Sequence, residues 1–315
     1  MARSILRRFL NVYWLRPETA LWRTIMTKAM SVYKLKSPSM DLACGDGILS
    51  YVTNGGDFDI SFDMFTCVDT KGFYNNKDIY DYYEKNRIKP VVAKKPDFYF
   101  DVGFDWKVNL LKRARELNYY GHLVQGTGDI LPFKDNTFAT IFSNSVYWFP
   151  SLESSLKEIH RVLKNDGRAI LVVQSDKLKE YMFCHKLYKK YKARGNKFLA
   201  NLFKNLDRGR YDCYVSSYNI ETWKKHLKKA DLKLVSYVPC ISRKATYIWD
   251  IGLRPISPYT IRIAEYLKKI GLKKLVKAIS IFLFGLVLSR YTQVTTKEDK
   301  KYPPSYFILE VAKEK

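Results

Sequence analysis

The sequence is poor in the residues that staple a secreted fold or hold a metal. Five Cys and four His are spread over 315 residues. No two of Cys44, Cys67, Cys184, Cys213 and Cys240 form a C-x-x-C pair, and their number is odd. That spacing argues against a disulfide framework and against a zinc site, and fits a reduced, cytoplasmic setting. A signal peptide is not expected: Met1 to Leu10 is basic and mildly apolar, but Asn11 and Arg16 interrupt it and no small-residue cleavage site follows. Internal repeats and low-complexity segments are lacking. Acidic charge is scarce as well, with 31 Asp+Glu against 55 Lys+Arg and a net charge of +24.

What is present reads as globular. Hydrophobic residues make up 47% and aromatics 15%, which excludes a disordered chain. The positive excess favours anionic partners, whether nucleic acid, anionic lipid or phosphorylated substrates, or else it is a solvated basic surface. It is uneven: residues 41–70 hold several Asp and no Lys or Arg, whereas 177–315 is crowded with both.

The patterning predicts an α/β fold. Residues 4–16 and 18–30 read as helices separated by Pro17, and Ser39 to Ala43 as a short buried strand running into a glycine-containing loop. Further strands are expected at Met64–Val68, Leu123–Gln125, Thr137–Phe142, Arg168–Val173, Leu232–Val238 and Tyr306–Val311. Helices are expected between them at 107–117, 152–163 and 220–230, and residues 71–107 form an unusually long connection. Alternation of this kind gives a Rossmann-like, seven-stranded, mostly parallel sheet with helices on both faces. The expected organisation is an N-terminal helical cap at 1–30, a core at 31–240 and 303–315, and a basic helical insertion at 241–302.

Four segments carry candidate chemistry. Asp41-Leu42-Ala43-Cys44-Gly45-Asp46-Gly47 joins a strand to a helix start, and its glycines let backbone approach a ligand. Asp69, about twenty residues later, is placed to accept hydrogen bonds from ribose hydroxyls. Thr127-Gly128-Asp129-Ile130-Leu131-Pro132-Phe133 and Ser143-Asn144 follow the third and fourth strands, on the edge where open α/β sheets bind ligands. Taken singly, each also reads as an ordinary turn.

Together and in this order, these segments resemble class I S-adenosylmethionine-dependent methyltransferases. Asp41 to Gly47 is similar to that family's D-x-G-C-G-x-G loop, Thr127 to Phe133 to its D-A-x-x-L-P-F segment, and Glu158 to Gly167 to its E-I-x-R-V-L-K-P-G-G helix end. The resemblance spans residues 38–175. It implies S-adenosylmethionine as cofactor, with Asp41, Ala43, Cys44, Gly45 and Gly47 around its methionine part and Asp69 at the ribose. Thr127, Gly128, Asp129 and Ile130 would stand at the adenine, and Ser143 and Asn144 near the sulfonium and acceptor. Ala43 stands where the family has a first Gly, and Thr127 where it has an Asp. A dinucleotide dehydrogenase would carry G-x-G-x-x-G, but position 50 is Ser.

The acceptor is expected to be small or lipid-linked and methylated at oxygen or carbon. RNA methylation, or a non-catalytic basic binding protein on the same fold, is the alternative. No histidine is singled out as a base. Arg16 either pairs with the cofactor carboxylate or is a surface residue. Residues 270–290 include an uncharged run, Ala278 to Ser289, too short to span a bilayer, which needs about 20 residues. That stretch is either a helix buried against the core or one lying in an anionic membrane interface, peripheral at the inner face.

Overall fold

A computed structural model describes residues 4–65, 89–207, 214, 216–253 and 256–314. Its main sheet has seven strands: β1 Ser39–Leu42, β2 Phe100–Asp105, β3 Tyr120–Gln125, β4 Phe138–Ser143, β5 Leu163–Gln174, β6 Leu232–Cys240 and β7 Tyr306–Lys313. The order across the sheet is β3-β2-β1-β4-β5-β7-β6. Strands β1 to β5 are parallel, and β7 runs antiparallel to both β5 and β6. Residues 57–58 and 92–94 pair as a separate small ladder.

Helices α1 Ile5–Val12 and α2 Pro17–Met30 precede the sheet, and α3 Ile48–Thr53, α4 Val108–Glu116 and α5 Leu152–Val162 follow β1, β2 and β4. Between β5 and β6 lie α6 Leu178–Tyr181, α7 Phe183–Ala193, α8 Lys197–Asp207 and α9 Ile220–Lys228. Between β6 and β7 lie α10 Arg243–Ile251, α11 Ser257–Lys269 and α12 Lys273–Leu288.

Strand alternation divides the interior in two. On β5, Ile170 and Val172 face one core with α1, α2 and α3, while Leu171 and Val173 face the other with α5 and α9. The α5 stripe Leu156, Ile159 and Val162 is buried at helical spacing, and the Ser151 hydroxyl accepts from the Ser154 N–H to start that helix. Pro17 opens α2 rather than merely interrupting a helix. At that position its missing N–H would have had no intrahelical partner anyway.

The second strand corrects the expectation. Met64 and Phe65 form a turn, and the remainder of the expected strand, with Asp69, lies outside the described residues. The place beside β1 is taken by Phe100–Asp105, from the stretch read as a long connection, with Met40 opposite Val102 and Leu42 opposite Phe104. The order turns around between β1 and β4, since β2 leads off one way and β4 the other. A crevice therefore opens above their carboxyl ends, where open α/β sheets bind ligands.

Candidate functional site

The loop after β1 is held in left-handed backbone. Ala43, Gly45 and Gly47 have φ of 62°, 59° and 74°. Only glycine visits that region without strain, so Ala43 stores about 1–2 kcal/mol. A Cβ on Gly47 would meet Tyr120 Cε2 at 2.8 Å and Leu117 Cδ1 at 3.1 Å. One on Gly45 would meet nothing nearer than Leu110 Cδ1 at 3.9 Å. Gly47→Ala is therefore expected to lower stability by about 2–3 kcal/mol, from backbone strain and displacement of Tyr120 together. Gly45→Ala is expected to cost about half as much. Thermal unfolding of the two variants checks this, and equal losses would contradict it.

Tyr120 matters because its hydroxyl donates to Asp41 Oδ2 at 2.7 Å. Asp41 is 1% exposed, and burial raises its carboxyl to about 6. Hydrogen bonds from Ser50 and Tyr120 oppose the rise, and the nearby Asp105 adds to it. The Cys44 thiol is also pushed up by burial, which removes thiolate character. Asp46 accepts from the Ile48 N–H at 3.2 Å.

Sequence reasoning missed Asp105, which ends β2. Its carboxylate accepts from the Gly45 N–H at 2.9 Å and the Lys107 N–H at 2.8 Å, tying the strand end to the glycine loop. Burial raises its pKa, and the two backbone bonds and Lys107 partly counter that. A carboxylate offers about four acceptor positions, so two remain for a ligand diol. Trp106 follows, 62% exposed, and Ile130, in the loop after the neighbouring β3, is 72% exposed. Two large apolar side chains in segments that follow adjacent strands suit a flat heterocycle. The signal that could have found Asp105 is the acid at a strand end directly before the α4 pattern.

The β3 loop is braced from beneath. Glu158 Oε2 accepts from the Leu131 N–H at 2.7 Å, and Arg161 donates to the carbonyls of Leu131 and Phe133 at 2.8 and 2.7 Å. Arg161 and Glu158 make a two-point ion pair, with bonds of 2.7 and 2.8 Å. The two motifs thus lock together in space. They fix the turn that carries Thr127, Gly128 and Asp129, and Gly128 packs so close to Phe149 that a Cβ there would lie 3.0 Å from its ring.

Several buried polar atoms around the crevice make no hydrogen bond within the described residues. They include Asp129 Oδ1 at the β3 end and Asn144 Oδ1 at the β4 end. At the N-cap of α2 they include Arg16 Nε, and within the helix Thr19 Oγ1, and Arg23 Nε and Nη1. Each costs about 1–3 kcal/mol unless something answers it. Arg16, Thr19 and Arg23 share one helix face by their spacing, and farther along that face the Thr27 hydroxyl bonds that of Thr53 at the end of α3 at 2.8 Å. The stripe therefore faces the helix that follows the glycine loop. Arg16 Nε lies 3.7 Å from Glu18 Oε1, and Glu18 in turn accepts from the Leu253 N–H at 3.2 Å. Trp22 reaches Tyr306 edge-on at 5.5 Å, and Tyr306 reaches Tyr147 at 6.4 Å, so α2 is linked to the segment after β4. Ser143 is fully buried and accepts weakly from the Ser145 N–H at 3.4 Å.

The glycine cradle, the acid at the β2 end and these unanswered polar atoms fit S-adenosylmethionine, which combines a carboxylate, an ammonium, a ribose and a purine. Among the described residues no group of three or more His, Cys, Asp or Glu could hold a metal.

Residues 94–171 match the methyltransferase-domain family. The matched stretch begins after the glycine loop and runs from just before β2 into β5. An 81-residue segment is 38% identical to malonyl-[acyl-carrier protein] O-methyltransferase 1 of Coxiella burnetii, covering 25% of this chain and 27% of that protein. Another of 58 residues is 36% identical to the mitochondrial arginine-hydroxylase NDUFAF5 of Danio rerio, covering 18% of each. The chain thus spans about a quarter or less of the length of these curated relatives. Among solved structures, an S-adenosylmethionine-dependent methyltransferase of Thermotoga maritima is 15% identical over 77% of this chain and 86% of its own, with a TM-score of 0.43. The [4+2]-cyclase SpnF is 12% identical over 93% of this chain and 81% of its own, with a TM-score of 0.45. Residues 94–171 thus match a methyltransferase domain, and the strand order and motifs around them resemble those of class I, S-adenosylmethionine-dependent methyltransferases.

Proposed function

We propose that the protein transfers the methyl group of S-adenosylmethionine to a small or lipid-linked acceptor, at oxygen or carbon. The observation that carries this reading is the left-handed glycine loop tied by Asp105 to the end of β2, beside strands whose following segments carry the unanswered oxygens of Asp129 and Asn144. The cofactor supplies an already activated methyl group, so alignment of the acceptor provides much of the rate. Asp41 would meet the cofactor's ammonium group, and Asp105 its ribose hydroxyls. Trp106, Ile130, Thr127 and Gly128 would enclose the purine. Asp129 would bond the purine edge in place of the Asp that the family carries at Thr127. Arg16, at the N-cap of α2 beside Glu18, is assigned to the cofactor carboxylate, and Arg23 on that helix to an anionic group of the acceptor. Asn144 would orient the acceptor. Trp14 and Trp22, buried and close to Arg16 and Arg23 along the chain, would keep water out.

An amphiphilic acceptor is consistent with the Coxiella relative, whose name gives it a malonyl group on acyl-carrier protein. Calorimetry with S-adenosylmethionine, followed by transfer of a labelled methyl group to cell extracts, tests the reading. Binding at micromolar to millimolar concentration, with label in the lipid or small-molecule fraction, is expected. Absence of binding would remove the enzyme reading, and label confined to RNA would remove the acceptor assignment.

A further inference from the structure

We infer that the α11–α12 hairpin docks on an anionic lipid surface. The inference stands apart from the reading of the active site. Residues Lys277, Ile281 and Leu288 turn α12 toward the body of the protein. Lys277 Nζ donates to the carbonyls of Ile60 and Phe62, and Lys273 pairs with Asp63 at 2.7 Å. These anchors fix which side of α12 looks outward. That side carries Leu275, Ile279, Phe282, Leu283, Leu286 and Val287, each 50–64% exposed. On α11, Tyr259, Ile263, Tyr266 and Ile270 follow the same helical spacing and are 47–63% exposed. Two apolar stripes on consecutive helices exceed what a soluble monomer normally leaves in water.

The choice of occupant follows from chemistry. From Tyr266 to Thr296 the chain has no acidic residue, while Lys268, Lys269, Lys274 and Arg290 are exposed at the ends of the stripes. A second copy packed by two-fold symmetry would set these like charges against each other. Between Leu275 and Leu288 the only polar side chains are the buried Lys277 and the half-buried Ser280. The α12 stripe therefore lacks the hydrogen-bonding groups that protein interfaces carry at regular density, and the α11 tyrosines have the amphipathic rings that sit at headgroup level. Apolar centre and cationic rim match the acyl and headgroup layers of an anionic leaflet. Among the described residues no helix is long and apolar enough to cross a membrane, so the hairpin would lie in the interface.

Flotation with vesicles tests this. One set is phosphatidylcholine alone, and the other is an equal mixture of phosphatidylcholine and phosphatidylglycerol. The full chain is expected to float with the mixed vesicles, and less so as salt rises. Phe282→Ser with Leu283→Ser, both on the exposed face, should cut the partition coefficient by about tenfold or more. Lys268→Gln, Lys269→Gln and Lys274→Gln together should abolish the preference for the mixed vesicles. Each variant should bind S-adenosylmethionine like the parent, which separates failure of this inference from failure of the functional reading. A chain that stays in the aqueous phase with both vesicles overturns it. So does a concentration-dependent dimer, seen by analytical ultracentrifugation, that Phe282→Ser and Leu283→Ser dissolve.

Discussion

Asp105→Ala weakens S-adenosylmethionine binding by about a hundredfold, whereas Asp69→Ala leaves it within about twofold. A hydrogen bond to a charged group contributes about 1.5–3 kcal/mol, so losing the acceptor for two ribose hydroxyls removes about 3 kcal/mol, or two decades in affinity. The same substitution leaves the N–H groups of Gly45 and Lys107 without their side-chain acceptor, so the loop itself loosens. Asp105→Asn keeps one acceptor oxygen and should fall between. Calorimetric titration of the three variants decides the matter. An unchanged affinity for Asp105→Ala with a large loss for Asp69→Ala would restore the assignment that spacing along the sequence favours.

The second large effect is a pH dependence set by Asp41. Burial holds its carboxyl at about 6 in the folded protein, against 3.8 as the ordinary value. Between those values the folded state binds the proton and the unfolded state has released it. Stability therefore falls as pH rises through this window and stays lower above it, by at most about 3 kcal/mol. Asp41→Asn removes the penalty while leaving Tyr120 an oxygen to bond. Its Tm should exceed that of the parent by about 5 °C at pH 8, and the difference should vanish below pH 4. Cofactor affinity behaves in the opposite sense. An ammonium group favours the ionised carboxylate, so binding by the parent should strengthen as pH rises through about 6, and binding by Asp41→Asn should stay flat. Parallel pH profiles for parent and variant would contradict the role given to Asp41.

The sheet was legible where apolar and β-branched runs met turn residues. Strands β4, β5 and β7 have interiors buried on both faces, and the sequence shows it. β2 was not legible because Phe100-Asp101-Val102-Gly103-Phe104-Asp105 mixes a glycine and two acids into the run, while Met64 to Val68 looks more strand-like. Propensity favoured the wrong segment, and parallel pairing with β1 overrides it. Within the site, the glycine loop could be read from residue types alone. The Glu158–Arg161 brace under the Leu131 turn could not, because its partners lie 26 to 30 positions apart and meet only through the β3–β4 geometry. Nor could Tyr120 above Asp41, since nothing about a tyrosine at a strand start announces a partner 79 residues earlier.

The position of β7 also sets the order in which the protein can assemble. β6 borders β7 alone, and β7 borders β5 on its other side. Until Tyr306–Lys313 has slotted between them, β6 has no neighbour in the sheet, and the α10–α12 excursion has no fixed return point. The closing event joins strands far apart along the chain, which makes it slow relative to local helix formation. Helices α11 and α12 can form in the meantime and show their apolar stripes to solvent. The finished protein keeps those stripes exposed, so what the half-built state adds is the open edge of β5 and an unpaired β6, a template for wrong strand pairing that β7 removes.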